Sequence, residues 1–138
     1  MQVREVMSQP VVSVELRTTV RKAAALLRRH DIGALPVLKD DRPVGIVTDR
    51  DIVIGLLPEP DDAGEQPVSA AMSTNPVSFF DDRTVAEAAA LMGDQQIGRL
   101  LIVDRSNRLV GMLSISDIAV NVSEELAGQA LGEICEER

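Results

Sequence analysis

The sequence holds one cysteine, Cys135, one histidine, His30, and two aromatic residues, Phe79 and Phe80, with no Trp or Tyr. One cysteine excludes an intrachain disulfide and any multi-cysteine zinc site, and one histidine cannot supply a His-rich site. Cys135 reads as a bystander, with an interchain bridge as the sharper alternative. Two aromatics are too few for a platform on which bases stack. Cations are also in deficit: 14 Lys and Arg stand against 22 Asp and Glu, a formal net charge of −8. Such a surface repels phosphate backbones and anionic membranes, so neither a nucleic acid nor a membrane is expected as partner. An anionic ligand needs a local basic spot. No apolar run approaches the roughly 18 residues of a membrane span. The opening Met-Gln-Val-Arg-Glu-Val-Met lacks an apolar signal core, so a cytoplasmic location is expected.

What the chain does have is length for a modest core, with 45% hydrophobic residues in 138, and a repeat. Met7-Ser8 recurs as Met72-Ser73, and the same offset matches Val12-Ser13 to Val77-Ser78 and Thr19-Val20 to Thr84-Val85. It continues through Ala23-Ala24-Ala25-Leu26 and Ala88-Ala89-Ala90-Leu91, then Ile32-Gly33 and Ile97-Gly98. After one inserted residue, Arg42, Val44, Gly45, Asp51 and Ile52 match Arg108, Val110, Gly111, Asp117 and Ile118. The chain is a duplicated unit.

Each copy reads as β-α-β-β-α, a mixed α/β (α+β) architecture. Val11 to Val14 and Val77 to Phe80 are short strands. Thr19 and Thr84 are N-caps, Thr84-Val85-Ala86-Glu87 is a capping box, and helices run to about His30 and Gln95, with Gly33 and Gly98 as their stops. Ala34 to Leu38 returns as Val44 to Val47 through a turn at Asp40-Asp41-Arg42-Pro43, and Leu100 to Val103 returns as Leu109 to Leu113. Second helices follow from about Asp49 to Leu57 and Ile115 to Val122. The domain reading is residues 1–60 as the first repeat, 61–67 as linker, 68–122 as the second repeat and 123–138 as a helical tail. Prolines and acids from Pro58 to Pro67 suggest an exposed connection rather than an element. In the tail, Leu126, Ala130 and Ile134 share a helical face beside Ala127 and Leu131, a stripe suited to covering core or a partner chain.

The segments that can carry chemistry are Gly45-Ile46-Val47-Thr48-Asp49-Arg50-Asp51-Ile52 and Gly111-Met112-Leu113-Ser114-Ile115-Ser116-Asp117-Ile118. Both place a hydroxyl three residues before a carboxylate at a strand-to-helix corner. One reading is a capping box in which Thr48 or Ser114 accepts from first-turn amides and Asp51 or Asp117 complements the helix dipole. The other uses the same geometry to receive a nucleotide, because a hydroxyl suits phosphate and a carboxylate suits two adjacent ribose hydroxyls. The two are compatible. His30 complements the C-terminal dipole of its helix.

The duplicated unit, with Ile32-Gly33-Ala34-Leu35-Pro36-Val37 leading to Thr48-Asp49-Arg50-Asp51-Ile52-Val53, resembles a pair of cystathionine β-synthase (CBS) domains, a Bateman module, and in particular the small stand-alone bacterial CBS pairs. The resemblance covers roughly residues 3 to 122. It implies two repeats packed with pseudo-twofold symmetry and two clefts that in many members bind adenosine nucleotides. Carried onto this chain, one cleft uses Thr48 and Asp51 for phosphate and ribose, Val77 and Ser78 beside the base, and Arg99, with Arg50, for phosphate. The other uses Ser114 and Asp117, Val12 and Ser13 beside the base, and Ala34 where the first has Arg99. Arginine can fork onto phosphate and alanine cannot donate, so the first ranks as the nucleotide site. Arg99 as a solvated strand-edge residue and Arg50 as a helix-surface charge are the plainer alternatives.

The resulting expectation is a non-catalytic regulatory module, not an enzyme. It requires no cofactor, takes AMP, ADP, ATP or S-adenosylmethionine as regulatory ligand in an energy-sensing role, works as a homodimer and reports to an effector protein that the sequence does not identify. The alternative is a ligand-free structural or protein-interaction module. No nucleophile-base pair, metal cluster or glycine-rich phosphate loop is visible in the letters. The family's disc-like dimers imply burial of the helices near Ile52 to Leu57 and Ile118 to Val122.

Overall fold

The structure is a computed structural model that describes residues 1–59 and 61–136. Pro60 of the acidic connection, and Glu137 and Arg138 of the expected tail, lie outside the described residues. The chain divides into two compact units, Val12–Pro76 and Met1–Val11 with Val77–Arg138, called here the central and terminal units.

In the central unit, β1 (Val14–Glu15), α1 (Val20–His30), β2 (Ala34–Lys39) and β3 (Arg42–Thr48) lead into a π-helical segment, Asp51–Leu56, and then β4 (Ser73–Thr74). The sheet order is β1-β2-β3-β4, with β1 parallel to β2 and the other pairs antiparallel. The hairpin between β2 and β3 turns on Asp40 and Asp41, both at positive φ (53° and 64°), the backbone of a tight two-residue turn supplied without glycine. The Thr19 hydroxyl accepts from the Lys22 amide at 3.2 Å and starts α1, which buries Val20, Ala23 and Leu27 at helical spacing.

The terminal unit repeats the plan with β5 (Ser78–Phe80), α2 (Val85–Gln95), β6 (Arg99–Val103), β7 (Leu109–Ser114) and α3 (Ile115–Asn121), and adds α4 (Glu124–Ile134). Its sheet order is β5-β6-β7, with β5 parallel to β6 and β6 antiparallel to β7. Thr84 and Glu87 form the capping box read from the sequence. Helix α4 packs on α2 and α3 and buries Ala127 and Ala130, while Leu131 stays 48% exposed. The expected stripe is therefore turned toward its small residues.

Each core takes a valine from the segment that leads into the other copy. Val3 is fully buried in the terminal core and its repeat partner Val68 in the central core. Ser8 likewise bridges to Met112 and Ser73 pairs with Ile46. The closeness of these approaches requires glycine: a Cβ on Gly45 would lie 2.6 Å from Met72 Sδ and 2.8 Å from the Ser73 carbonyl oxygen, and one on Gly111 would meet Met7 Sδ.

Four sequence expectations are corrected. The first strand begins at Val14, not Val11, because its neighbour is Pro36: Leu101 donates its N–H to the Val77 oxygen at 3.3 Å, and Pro36, at the matching position, has no N–H to give Val12. The first helices end on Asp31 and Gln96, both left-handed (φ 52° and 54°), rather than at Gly33 and Gly98. The acidic connection contains a 3₁₀ turn, Ala63–Glu65, whose Ala63 is 4% exposed and belongs to the central core. The helix after β3 is π-wound, with Leu57 donating to the Ile52 oxygen five residues back, where Val122 reaches Ile118 four back.

Candidate functional site

The two hydroxyl-carboxylate corners form as the sequence indicates. In the central unit the Asp51 amide donates to Thr48 Oγ1 at 3.0 Å and the Thr48 amide donates to Asp51 Oδ2 at 2.9 Å. In the terminal unit the Asp117 amide donates to Ser114 Oγ at 3.1 Å and the Ser114 amide to Asp117 Oδ2 at 2.9 Å. Each is a reciprocal capping box. Because each hydroxyl oxygen accepts, its own proton is left to donate outward. All four residues are half-buried, so the corners are reachable from solvent.

The corners differ at the second carboxylate oxygen. Asp117 Oδ1 accepts from the Ser8 hydroxyl at 3.1 Å, whereas Asp51 Oδ1 has no partner among the described residues. The Asp51 corner therefore offers one free donor, the Thr48 O–H, and one free acceptor, the arrangement that a phosphate oxygen and a ribose hydroxyl require. Asp117 also borders an open pocket of about 600 Å³, with Met1, Glu5, Met7, Ser8 and Asn121 among its walls. Its ionisable side chains are acidic, which disfavours an anion there.

The other expected contacts are distributed between the units. Val12, Ser13, Ala34 and Arg50 lie in the central unit with Thr48 and Asp51, and Val77, Ser78 and Arg99 lie in the terminal unit with Ser114 and Asp117. Strand register sets Ala34 opposite Thr48 and Arg99 opposite Ser114. Ala34 is buried, while Arg99 and Arg50 are exposed and make no ion pair among the described residues. Ser78 is exposed and pairs with Leu101. Sequence reasoning missed Ser8, whose only signal was the repeated Met-Ser dipeptide. Both aromatics are already occupied: the Arg83 guanidinium lies 4.4 Å from the Phe79 ring centre and that of Arg105 lies 4.0 Å from Phe80.

The CBS domain family model matches residues 3–57 and 68–124, both copies in turn. The chain belongs to the CBS-domain family. As a CBS-domain protein it is 41% identical over 133 residues to the CBS domain-containing protein YhcV of Bacillus subtilis, covering 96% of this chain and 94% of that one. It is 34% identical over 139 residues to hypoxic response protein 1 of Mycobacterium tuberculosis, covering 96% and 92%. Among solved structures, the CBS domain protein PAE2072 of Pyrobaculum aerophilum, complexed with AMP, aligns with a TM-score of 0.75 at 26% identity over 96% of this chain and 98% of that chain. The CBS domain pair of protein MJ0100, in complex with 5′-methylthioadenosine and S-adenosyl-L-methionine, aligns with a TM-score of 0.74 at 26% identity, covering 87% and 98%. Among the described residues no helix is long and apolar enough to cross a membrane.

Proposed function

We propose that this CBS pair is a non-catalytic regulatory module whose ligand is an adenosine-containing nucleotide or S-adenosylmethionine. The observation that carries the reading is the Thr48–Asp51 corner, with a hydroxyl proton and a carboxylate oxygen both left unused by the fold. Asp51 accepts from the vicinal ribose hydroxyls, the Thr48 hydroxyl donates to a phosphate or sugar oxygen, and Arg50 offsets anionic charge. Ser114 and Asp117 form the weaker counterpart in the terminal unit, since Ser8 already holds Asp117 Oδ1, and Arg99 is the residue assigned to phosphate. Val12, Ser13, Val77 and Ser78 are the residues assigned beside the base, and Ala34 stands where the other copy has Arg99. Ligands of this class in the related PAE2072 and MJ0100 structures support the reading. In a cell such a module reports adenylate state to an effector.

The second reading, a ligand-free dimerisation module, is favoured by a different observation. Ile54 and Val120 hold matching positions in the two copies and are 63% and 82% exposed, as partner-covered side chains are in an isolated chain. The homodimer is common to both readings. Titration calorimetry with AMP, ADP, ATP and S-adenosylmethionine separates them. A ligand at about 100 times its Kd should also raise folding stability by about 2.7 kcal/mol. Heat from none of the four at millimolar concentration selects the ligand-free reading.

A further inference from the structure

The outer faces of the first helices differ between the two copies in charge, and in cover at Ala89 and Gly93, whose counterparts Ala24 and Arg28 are exposed. On α2 that face is Ala86, Glu87, Ala90, Gly93 and Asp94, and α4 covers one edge of it: Gly93 and the adjoining Ala89 are buried, with the Glu133 side chain against Gly93, while Ala86, Glu87, Ala90 and Asp94 stay exposed. The matching positions on α1 are Arg21, Lys22, Ala25, Arg28 and Arg29, all exposed. Glu87 and Asp94 have become Lys22 and Arg29, so the charge of the face is inverted. Arg21 is tied to Glu65 at 3.1 Å, but Lys22, Arg28 and Arg29 have no ion pair among the described residues. At 100° per residue these cations flank Ala25 on one side of the helix, with exposed Ala24 beside it. In a chain of net charge −8, this concentration of unpaired positive charge is out of keeping with the rest of the surface.

We propose that the outer face of α1 is a docking surface for an acidic amphipathic helix of a partner protein. The helix would be seated over Ala24 and Ala25, with carboxylates on Lys22, Arg28 and Arg29. The terminal unit supplies the precedent, because α4 is an acidic amphipathic helix, with Glu124, Glu125 and Glu133 exposed and the small residues Ala127 and Ala130 buried against its neighbours. The chain's own α4 is engaged on α2 and α3 through buried Ala127 and Ala130, which leaves the α1 face to another molecule. Arginine is suited to the contact because it forks onto carboxylates. The inference rests on α1 alone and is independent of ligand binding.

The probe is a fluorescein-labelled synthetic peptide of residues 123–136, titrated by fluorescence anisotropy with the full chain. Saturable binding is expected, weakened at least tenfold by Lys22→Glu/Arg28→Glu/Arg29→Glu and recovered when that variant meets a peptide whose glutamates are replaced by lysines. Arg28→Gln/Arg29→Gln, which keeps the residues polar and removes less charge, should lie between. Circular dichroism melts establish that each variant folds. Absence of peptide binding by the wild type, or binding unchanged in the folded triple variant, overturns the proposal. So does capture of duplex DNA or phosphatidylserine vesicles in place of the peptide. Self-association abolished by the triple variant overturns it as well, by assigning the face to a second copy.

Discussion

The Ser8 hydroxyl donates to Asp117 Oδ1 at 3.1 Å, and this one bond makes the two motif carboxylates inequivalent. Asp51, identical in its capping box, keeps its Oδ1 free. The duplication therefore produced one carboxylate satisfied by the protein and one available to a ligand.

Stability should register the difference. Either Asp51→Ala or Asp117→Ala removes a capping-box partner, a loss of about 1 kcal/mol. Asp117→Ala also loses the hydrogen bond from the exposed Ser8 hydroxyl, adding about 0.5 kcal/mol. Urea denaturation of the ligand-free protein should rank Asp117→Ala as the less stable variant, and the reverse order would contradict the assignment of the Ser8 bond.

Three glycines should behave differently under the same substitution. A Cβ on Gly45 meets a backbone oxygen as well as the Met72 sulfur, so Gly45→Ala should cost about 1–3 kcal/mol. Gly111→Ala meets Met7, a flexible side chain, and should cost less. Gly55, in the π-helical segment, has nothing within 4 Å, and Gly55→Ala should be neutral or stabilising by up to about 1 kcal/mol. Melting temperatures of the three variants test this order.

Glu87 gives a pH dependence with a definite sign. Hydrogen bonds from Arg83 and then from Thr84 hold its carboxyl below the ordinary value of 4.5. Its contribution to stability is therefore present above pH 4.5 and disappears as pH falls through the lowered value. Wild type should exceed Glu87→Gln in denaturant midpoint at pH 7, and the gap should close on acidification below 4.5. A gap that widens there would contradict the arrangement.

Association should depend on the exposed apolar positions. Ile54→Asp with Val120→Asp places charge at two matched sites, 63% and 82% exposed, so the fold should survive. Light scattering should give a dimer for the wild type and a monomer for the double variant. A wild type that is monomeric at every accessible concentration removes the dimer from both functional readings.

Much of this architecture was legible from local signals. Thr19 and Thr84 announced their helices because a hydroxyl before an apolar-periodic run has few other uses, whereas Gly45 and Gly111 stood out only as matched positions of the repeat. Other features depended on partners far away in sequence. The shortness of β1 came from Pro36 on the neighbouring strand, and the burial of Ala63 in an acidic, proline-rich stretch came from packing against α1. Gly33 and Gly98 misled as helix stops because Asp31 and Gln96 accept the left-handed conformation themselves. At the site, the capping geometry of Thr48–Asp51 and Ser114–Asp117 followed from spacing alone. The Ser8 contact did not, since it joins residues more than a hundred positions apart.

The central claim is that Asp51 holds the ribose of an adenosine-containing ligand, and titration calorimetry of wild type against Asp51→Ala with AMP, ADP, ATP and S-adenosylmethionine tests it most directly. The account expects saturable binding of at least one of these to the wild type, and its loss in a variant that remains folded and only about 1 kcal/mol less stable. Unchanged affinity in Asp51→Ala would contradict it.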